Sequence, residues 1–215
     1  MKQKMFAAVC AAVLAVCPLA GCGAAGSEEQ EAVKMEDLPY GSTITEDSTR
    51  NITIAFDKRF LDDALLDRIV SYYESIQNRD AEEFKSVVFP LYHNYEISTV
   101  YEDKVTEQDL LDTTYDAIKE YFGYDFDFAY LNVEECVMKD GISGERDTMI
   151  RFLDDLAAEK GEKKISEDTG ALYEMSVKRH VAEKGSGNRT ETLDELDSET
   201  LYAIQYQGEW YLMYT

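Results

Sequence analysis

Cys136 stands in the stretch LNVEECVMKDG, directly after two glutamates. A cysteine nucleophile works as its thiolate, and acidic neighbours disfavour that form, so Cys136 is expected to be packed and inert. His93, in PLYHNYE, and His180 lie far apart, with no second histidine one helical turn away and no cysteine pair beside them. That spacing gives a zinc site little support. Asp125 and Asp127 lack the further spaced acids of a calcium loop. No serine sits in a G-x-S-x-G elbow, and no glycine-rich loop follows a strand pattern. Acid–base chemistry needs a tuned group within hydrogen-bonding reach of its substrate, whereas most acids here fall on polar faces or in loops. No catalytic residue, metal or cofactor is therefore expected. The tyrosines combine apolar area with a polar tip, which suits recognition. Tyr72, Tyr73, Tyr115, Tyr202 and Trp210 are the candidate cavity-lining residues.

The elements that must position these side chains follow from hydrophobic period. In FLDDALLDRIVSYYESIQ, Leu61, Leu65, Ile69, Tyr72 or Tyr73, and Ile76 recur at three- and four-residue steps, which predicts one apolar helical face. Asp80 and Glu83 have the spacing of an N-cap and its capping-box partner, opening a shorter helix that Pro90 stops. A third helix runs from Thr106 through Leu110, Leu111, Tyr115, Ile118 and Phe122 to Gly123, which suits a left-handed cap. A fourth is expected over residues 147–160, closed by Gly161. YDFDFAYLNVEECVM alternates Phe126, Phe128 and Tyr130 against Asp125, Asp127 and Ala129, a strand period. LYEMSVKRHVAEK sets Tyr173, Met175, Val177 and Val181 against Glu174, Ser176, Lys178 and His180, the latter a solvated row. LYAIQYQGEWYLMYT is a hairpin around Gln207-Gly208-Glu209, with Trp210, Leu212 and Tyr214 on one face, expected as core. GSGNRTETLDELDS is expected as a polar loop between strands. Helices followed by antiparallel strands make an α+β domain over residues 56–215.

Upstream of that domain, Lys2 and Lys4 precede an apolar run from Met5 to Val16, and small residues follow. This is the layout of a secretory signal peptide, over residues 1–21. The run falls short of the ~20 residues a membrane-spanning helix needs. Leu19-Ala20-Gly21-Cys22 resembles the lipobox of bacterial lipoproteins. The resemblance implies recognition of Leu19, Ala20 and Gly21 by a signal peptidase and lipidation of Cys22, which becomes the first mature residue. Two acyl chains suffice for stable anchoring, where one is marginal. Residues 22–55 then read as a flexible acidic tether, with a short ordered piece at NITIAF. The expected location is the extracytoplasmic face of a bacterial membrane. With the signal peptide gone, 19 basic and 44 acidic residues leave the mature chain at −25. So acidic a surface repels phosphate, and nucleic acid is excluded as a partner.

IVSYYESIQNRDAEEFKSVVFP and the closing LYAIQYQGEWYLMYT resemble the opening helices and last hairpin of NTF2-like domains. The resemblance covers the two ends of residues 57–215, and the helix near 147–160 departs from it. It implies helices packed on a bent antiparallel sheet that forms a cone-shaped cavity. It also implies either a non-catalytic module for a small ligand or an envelope protein, or an isomerase- or dehydratase-like enzyme. Enzymes of the ketosteroid-isomerase kind combine a carboxylate with a tyrosine in an apolar cavity, and no acid stands alone on an apolar strand face here. An accessory or solute-capture lipoprotein serving a transporter or sensor is the further alternative. Replacing the lipidated residue, Cys22→Ser, is expected to release the protein from the membrane fraction. Metabolic labelling with a radioactive fatty acid should mark the wild type and not the mutant.

Overall fold

In the computed structural model, residues 38–137, 145–186 and 193–214 are described, all within the unit Met35–Thr215. The expected signal peptide, Cys22 and the first part of the expected tether, residues 22–37, lie outside the described residues. One open sheet has the strand order β1 (Ile44–Asp47), β2 (Thr53–Asp57), β3 (Phe126–Val137), β4 (Thr169–Glu183), β5 (Asp194–Tyr206) and β6 (Glu209–Tyr214). Neighbours are antiparallel except β2 and β3, which run parallel, so the sheet is mixed rather than antiparallel throughout. Parallel neighbours need a long crossover, and the first helical group of the α+β domain supplies it.

That group begins with α1 (Asp63–Asn78), whose Leu65, Ile69, Tyr73 and Ile76 are buried. Asp62 caps it by accepting from Leu65 N and also from the Trp210 indole, 3.2 Å away, which ties the start of α1 to β6. Arg79 ends α1 in the left-handed region, at φ 54°. Its guanidinium pairs with Asp112 and Asp116 and lies 4.0 Å over the Tyr115 ring, so contacts with α4 (Glu107–Phe122) hold an otherwise unfavourable backbone. Asp80 caps α2 (Ala81–Val87) through Glu82 N and Glu83 N. Pro90 does more than stop this helix: it opens α3 (Pro90–Tyr95), where its missing N–H costs nothing, and a π-helical turn follows at Glu96–Val100. Thr106 and Asp109 form a reciprocal capping box at the start of α4, and Gly123, at φ 81°, ends it. The inserted helix is α5 (Glu145–Glu159), followed by a short α6 (Ile165–Asp168).

Two apolar layers sandwich the C-terminal strands. Beneath α1, α2 and α4 lie Phe126, Val177, Leu201, Ala203 and Leu212, with Trp210 5% exposed among them. Side chains one residue out of phase, Leu172, Ile204 and Met213, point to the opposite face. There Leu153, Leu156 and Ala157 of α5 cover them together with Phe89, Leu91 and Tyr92. The inserted helix is thus the lid on the second face of the sheet. Between β5 and β6, Gln207 and Gly208 both have positive φ, the two-residue turn whose twist suits a hairpin. β5 already begins at Asp194, so the end of the expected polar loop is strand. Residues 187–192 of that loop lie outside the described residues.

Strand register corrects one expected alternation. β3 carries an irregularity between Phe128 and Tyr130 and another between Val133 and Glu135. Each inserts one residue and reverses which face the following side chains meet. Phe126 and Phe128 are therefore buried, but Tyr130 turns outward against His180, while Leu131 and Val133 take the core face. The second irregularity brings Cys136 back inside.

Residues 38–55, expected in the tether, belong to the folded unit. The carboxylate of Asp57 is fully buried and holds them. It accepts from Gly41 N at 3.1 Å, Thr43 N at 3.3 Å and the Thr43 hydroxyl at 2.7 Å. Arg59 pairs with the same carboxylate at 2.5 Å and donates to the carbonyls of Leu38 and Pro39. The Tyr40 hydroxyl reaches Val133 O at 3.0 Å. A polar segment can order itself here because a buried charge, fully hydrogen-bonded, replaces the apolar area it lacks.

The Arg59 guanidinium is the chief cause that holds the Asp57 carboxyl well below the usual carboxylate range. A folded value below the unfolded ~3.9 stabilises the protein above about pH 4, and the contribution is lost as pH falls through the folded value. Asp57→Asn leaves Arg59 without its anion and is expected to cost about 3–5 kcal/mol at pH 7. Urea denaturation across pH 2–7 should also show a shallower acid limb in the mutant, and an unchanged limb would exclude this role for Asp57.

Candidate functional site

The polar centre of the domain forms where β4 and β5 lose register. Val177 pairs with Glu199, but Arg179 pairs with Leu196, so β5 carries the extra residue. A bulge leaves a backbone group unpaired. Arg179 resolves this by donating from Nη2 to the Asp197 carbonyl at 2.7 Å and from Nε at 3.3 Å. Its remaining nitrogen, Nη1, meets Glu199 Oε2 at 2.9 Å. Above the pair, α1 places two consecutive tyrosines. Tyr72 donates to Glu199 Oε1 at 3.1 Å and Tyr73 to Oε2 at 3.2 Å. The Tyr73 ring packs edge-on against Tyr72 and Phe128, with centroids 5.1 Å from each. Burial, followed by the Glu199 charge, pushes both phenols well above their ordinary range, so they remain donors.

Beside this cluster lies a cavity of about 180 Å³ between α1, α4 and the sheet. Its apolar wall includes Ile76, Phe84, Leu111, Ile118 and Phe128, and its polar side is Tyr72, Arg179 and Glu199. Tyr101, Thr114 and Tyr214 also line it. The volume is below the ~300–1,000 Å³ of most ligand clefts, so only a small molecule fits.

A second hydrogen-bonded line reaches the cavity from α3. His93 is 4% exposed, and its Nδ1 lies 2.9 Å from the Tyr214 hydroxyl while its Nε2 lies 3.3 Å from Glu107. Lys85 meets the same glutamate at 3.3 Å. His93, which lacks a partner at helical spacing, acquires two through the fold. Burial first, then nearby acids, raises the Tyr214 phenol.

The expected cavity residues separate. Tyr72 lines the cavity and Tyr73 donates to the same carboxylate from the packed layer behind it. Tyr115 is elsewhere: it stacks on Phe126 at 4.8 Å and donates to Asp125 at 2.9 Å. Tyr202 packs on the opposite face, with the layer under α5. Trp210 borders a second, open depression of about 320 Å³ together with Arg68, Ser71 and Glu209. Burial pushes the Cys136 thiol up to about 12, which keeps it protonated and unreactive. Asp125 pairs with Lys119 at 2.8 Å. Among the described residues no group of three His, Cys, Asp or Glu side chains could hold a metal ion, and no helix is long and apolar enough to cross a membrane.

Glu199 and Arg179 are the residues that pattern reading misses. The signal is present: Arg179 falls in the row of Met175, Val177 and Val181, and Glu199 in that of Leu201 and Ala203. A charge of each sign on an apolar row points to a partly buried pair. The solvated row through Lys178 and His180 is the wrong place to look for the acid. Compared with known proteins, the chain matches no family model, no curated protein and no solved structure.

Three donors, one of them a guanidinium, already engage the Glu199 oxygens. Such a carboxylate fixes the geometry of a binding site and is poorly placed to abstract a proton. Partly buried ion pairs add little stability relative to apolar replacements, whereas breaking one leaves a charge unsatisfied. Arg179→Met is therefore expected to cost about 1–3 kcal/mol. The double replacement Arg179→Met with Glu199→Gln, which removes both charges and keeps an acceptor for the Tyr72 and Tyr73 hydroxyls, should recover part of that loss in urea denaturation.

Proposed function

We propose that the mature protein is a lipoprotein held by lipid on Cys22 at the extracytoplasmic face of a bacterial membrane, where an NTF2-like domain binds a small ligand without transforming it. The lipobox Leu19-Ala20-Gly21-Cys22 supports the anchor. The α+β order and a cavity between helices and sheet are what an NTF2-like cone requires. One observation carries the binding role: a cavity lined by both apolar and polar side chains contains a carboxylate whose position is fixed by hydrogen bonds from Tyr72, Tyr73 and Arg179. Preorganised polar groups in an apolar pocket orient a ligand at little cost on binding.

A second reading, an isomerase- or dehydratase-like enzyme, is favoured by the two tyrosine hydroxyls within 3.2 Å of a cavity carboxylate. It ranks below binding because the Arg179 guanidinium and two phenol donors stabilise Glu199 as the anion, which makes it a weak base. Thermal melting of the detergent-extracted mature protein against a library of small molecules decides between them. A ligand at 100 times its Kd stabilises the folded state by ~2.7 kcal/mol, and mass spectrometry of the same samples should recover it unchanged. Conversion by the wild type that disappears in Glu199→Gln would replace binding with catalysis.

A further inference from the structure

Five of the residues around the cavity are aromatic: Tyr72, Phe84, Tyr101, Phe128 and Tyr214. Several form one connected group, with Phe84 5.8 Å from Tyr72 and 5.5 Å from Tyr214 between ring centroids. Aromatic faces carry negative charge density and attract cations. The acceptor on the polar side is a carboxylate paired with Arg179 through Oε2, and among the described residues its Oε1 receives only the Tyr72 hydroxyl, which leaves it a lone pair for a ligand. Among the described residues Arg179 is the sole basic residue in the lining, and each of its nitrogens donates a hydrogen bond, two to the Asp197 carbonyl and one to Glu199. An anion would meet a guanidinium whose charge Glu199 already balances. Around it, the whole chain carries a net charge of −23, a field that concentrates cations and repels anions.

Resting on the ligand-binding role proposed above, we infer that the cavity takes a small organic ammonium ion, its charged head among the aromatic rings and beside Glu199 Oε1. The limited volume selects a compact head, and the Ile76, Leu111 and Ile118 side chains accept a short apolar remainder. A neutral molecule of the same shape would gain the apolar contact without the cation attraction.

Isothermal titration of the full mature protein in detergent at 150 mM salt tests this with three probes: choline, its uncharged carbon isostere 3,3-dimethylbutan-1-ol, and butanoate. Choline is expected to bind at least tenfold more tightly than the alcohol, and butanoate not at all. Glu199→Gln should weaken choline by tenfold or more. Because that change disturbs the Arg179 cluster, Thr114→Trp provides a second arm: it fills the cavity from an exposed position on α4 and should abolish binding with the melting temperature retained. If the alcohol binds as tightly as choline and Thr114→Trp removes both, the cavity binds ligands but the ammonium assignment is wrong. Choline binding that survives Thr114→Trp would come from the acidic surface and would equally overturn it. Absence of binding by all three probes would count against both the ammonium assignment and the ligand-binding role.

Discussion

The ion pair between Arg179 and Glu199 joins the three parts of the domain that face the cavity. It bridges β4 and β5 at the point where their register breaks, and it supplies the acceptor for two consecutive tyrosines of α1. Without the bulge, Asp197 would offer no free carbonyl to the guanidinium, and Arg179 would lose the partner of two of its three nitrogens. The bulge and the arginine therefore explain each other. Together they set the distance between α1 and the sheet, because two phenol groups must reach one carboxylate from a fixed helical surface.

A similar exchange of charge for apolar area operates at the other end of the sheet. Residues 38–43 hold few side chains able to build a core, yet they are ordered against β2 and β3 by Asp57, Arg59 and Tyr40. The two networks differ in what surrounds them. Asp57 has no exposure and lines neither cavity, so its donors serve the fold alone. The side chain of Glu199 is 18% exposed and borders open space. Both are multiply bonded carboxylates beside an arginine, and access separates a structural one from a site.

The covering of both faces of the β4–β6 region bears on the same point. α5 closes the second face over Leu172, Ile204 and Met213, which frees the first face to hold a cavity without exposing the sheet. A sheet covered on one side only would need its inner layer filled more completely to pay for folding. The inserted helix thus stabilises a scaffold in which some space between α1, α4 and the strands can stay unfilled. Rigid elements on both sides also limit how far the aromatic rings around that space can relax.

Much of the element order was legible in the chain. The apolar face of α1, the caps at Asp80 and Thr106, the left-handed Gly123 and the Gln207-Gly208 turn all depend on residues within a few positions of one another. Local chemistry is sufficient for them, so composition and period expose them directly. The site was not legible in that way. Tyr72 and Glu199 are 127 residues apart, and His93 and Tyr214 are 121 apart. Period also failed wherever a bulge intervened: Tyr130 left the core face, and only the pairing of β3 with β4 shows why. A bulge is a property of two strands together, and one strand's residues do not encode where its partner slips. Sequence thus determined which faces are apolar and where helices begin and end. Tertiary structure alone decided which charges are buried or partly buried, because a carboxylate such as Asp57, or less completely Glu199, can leave water only where distant donors have already been brought to meet it.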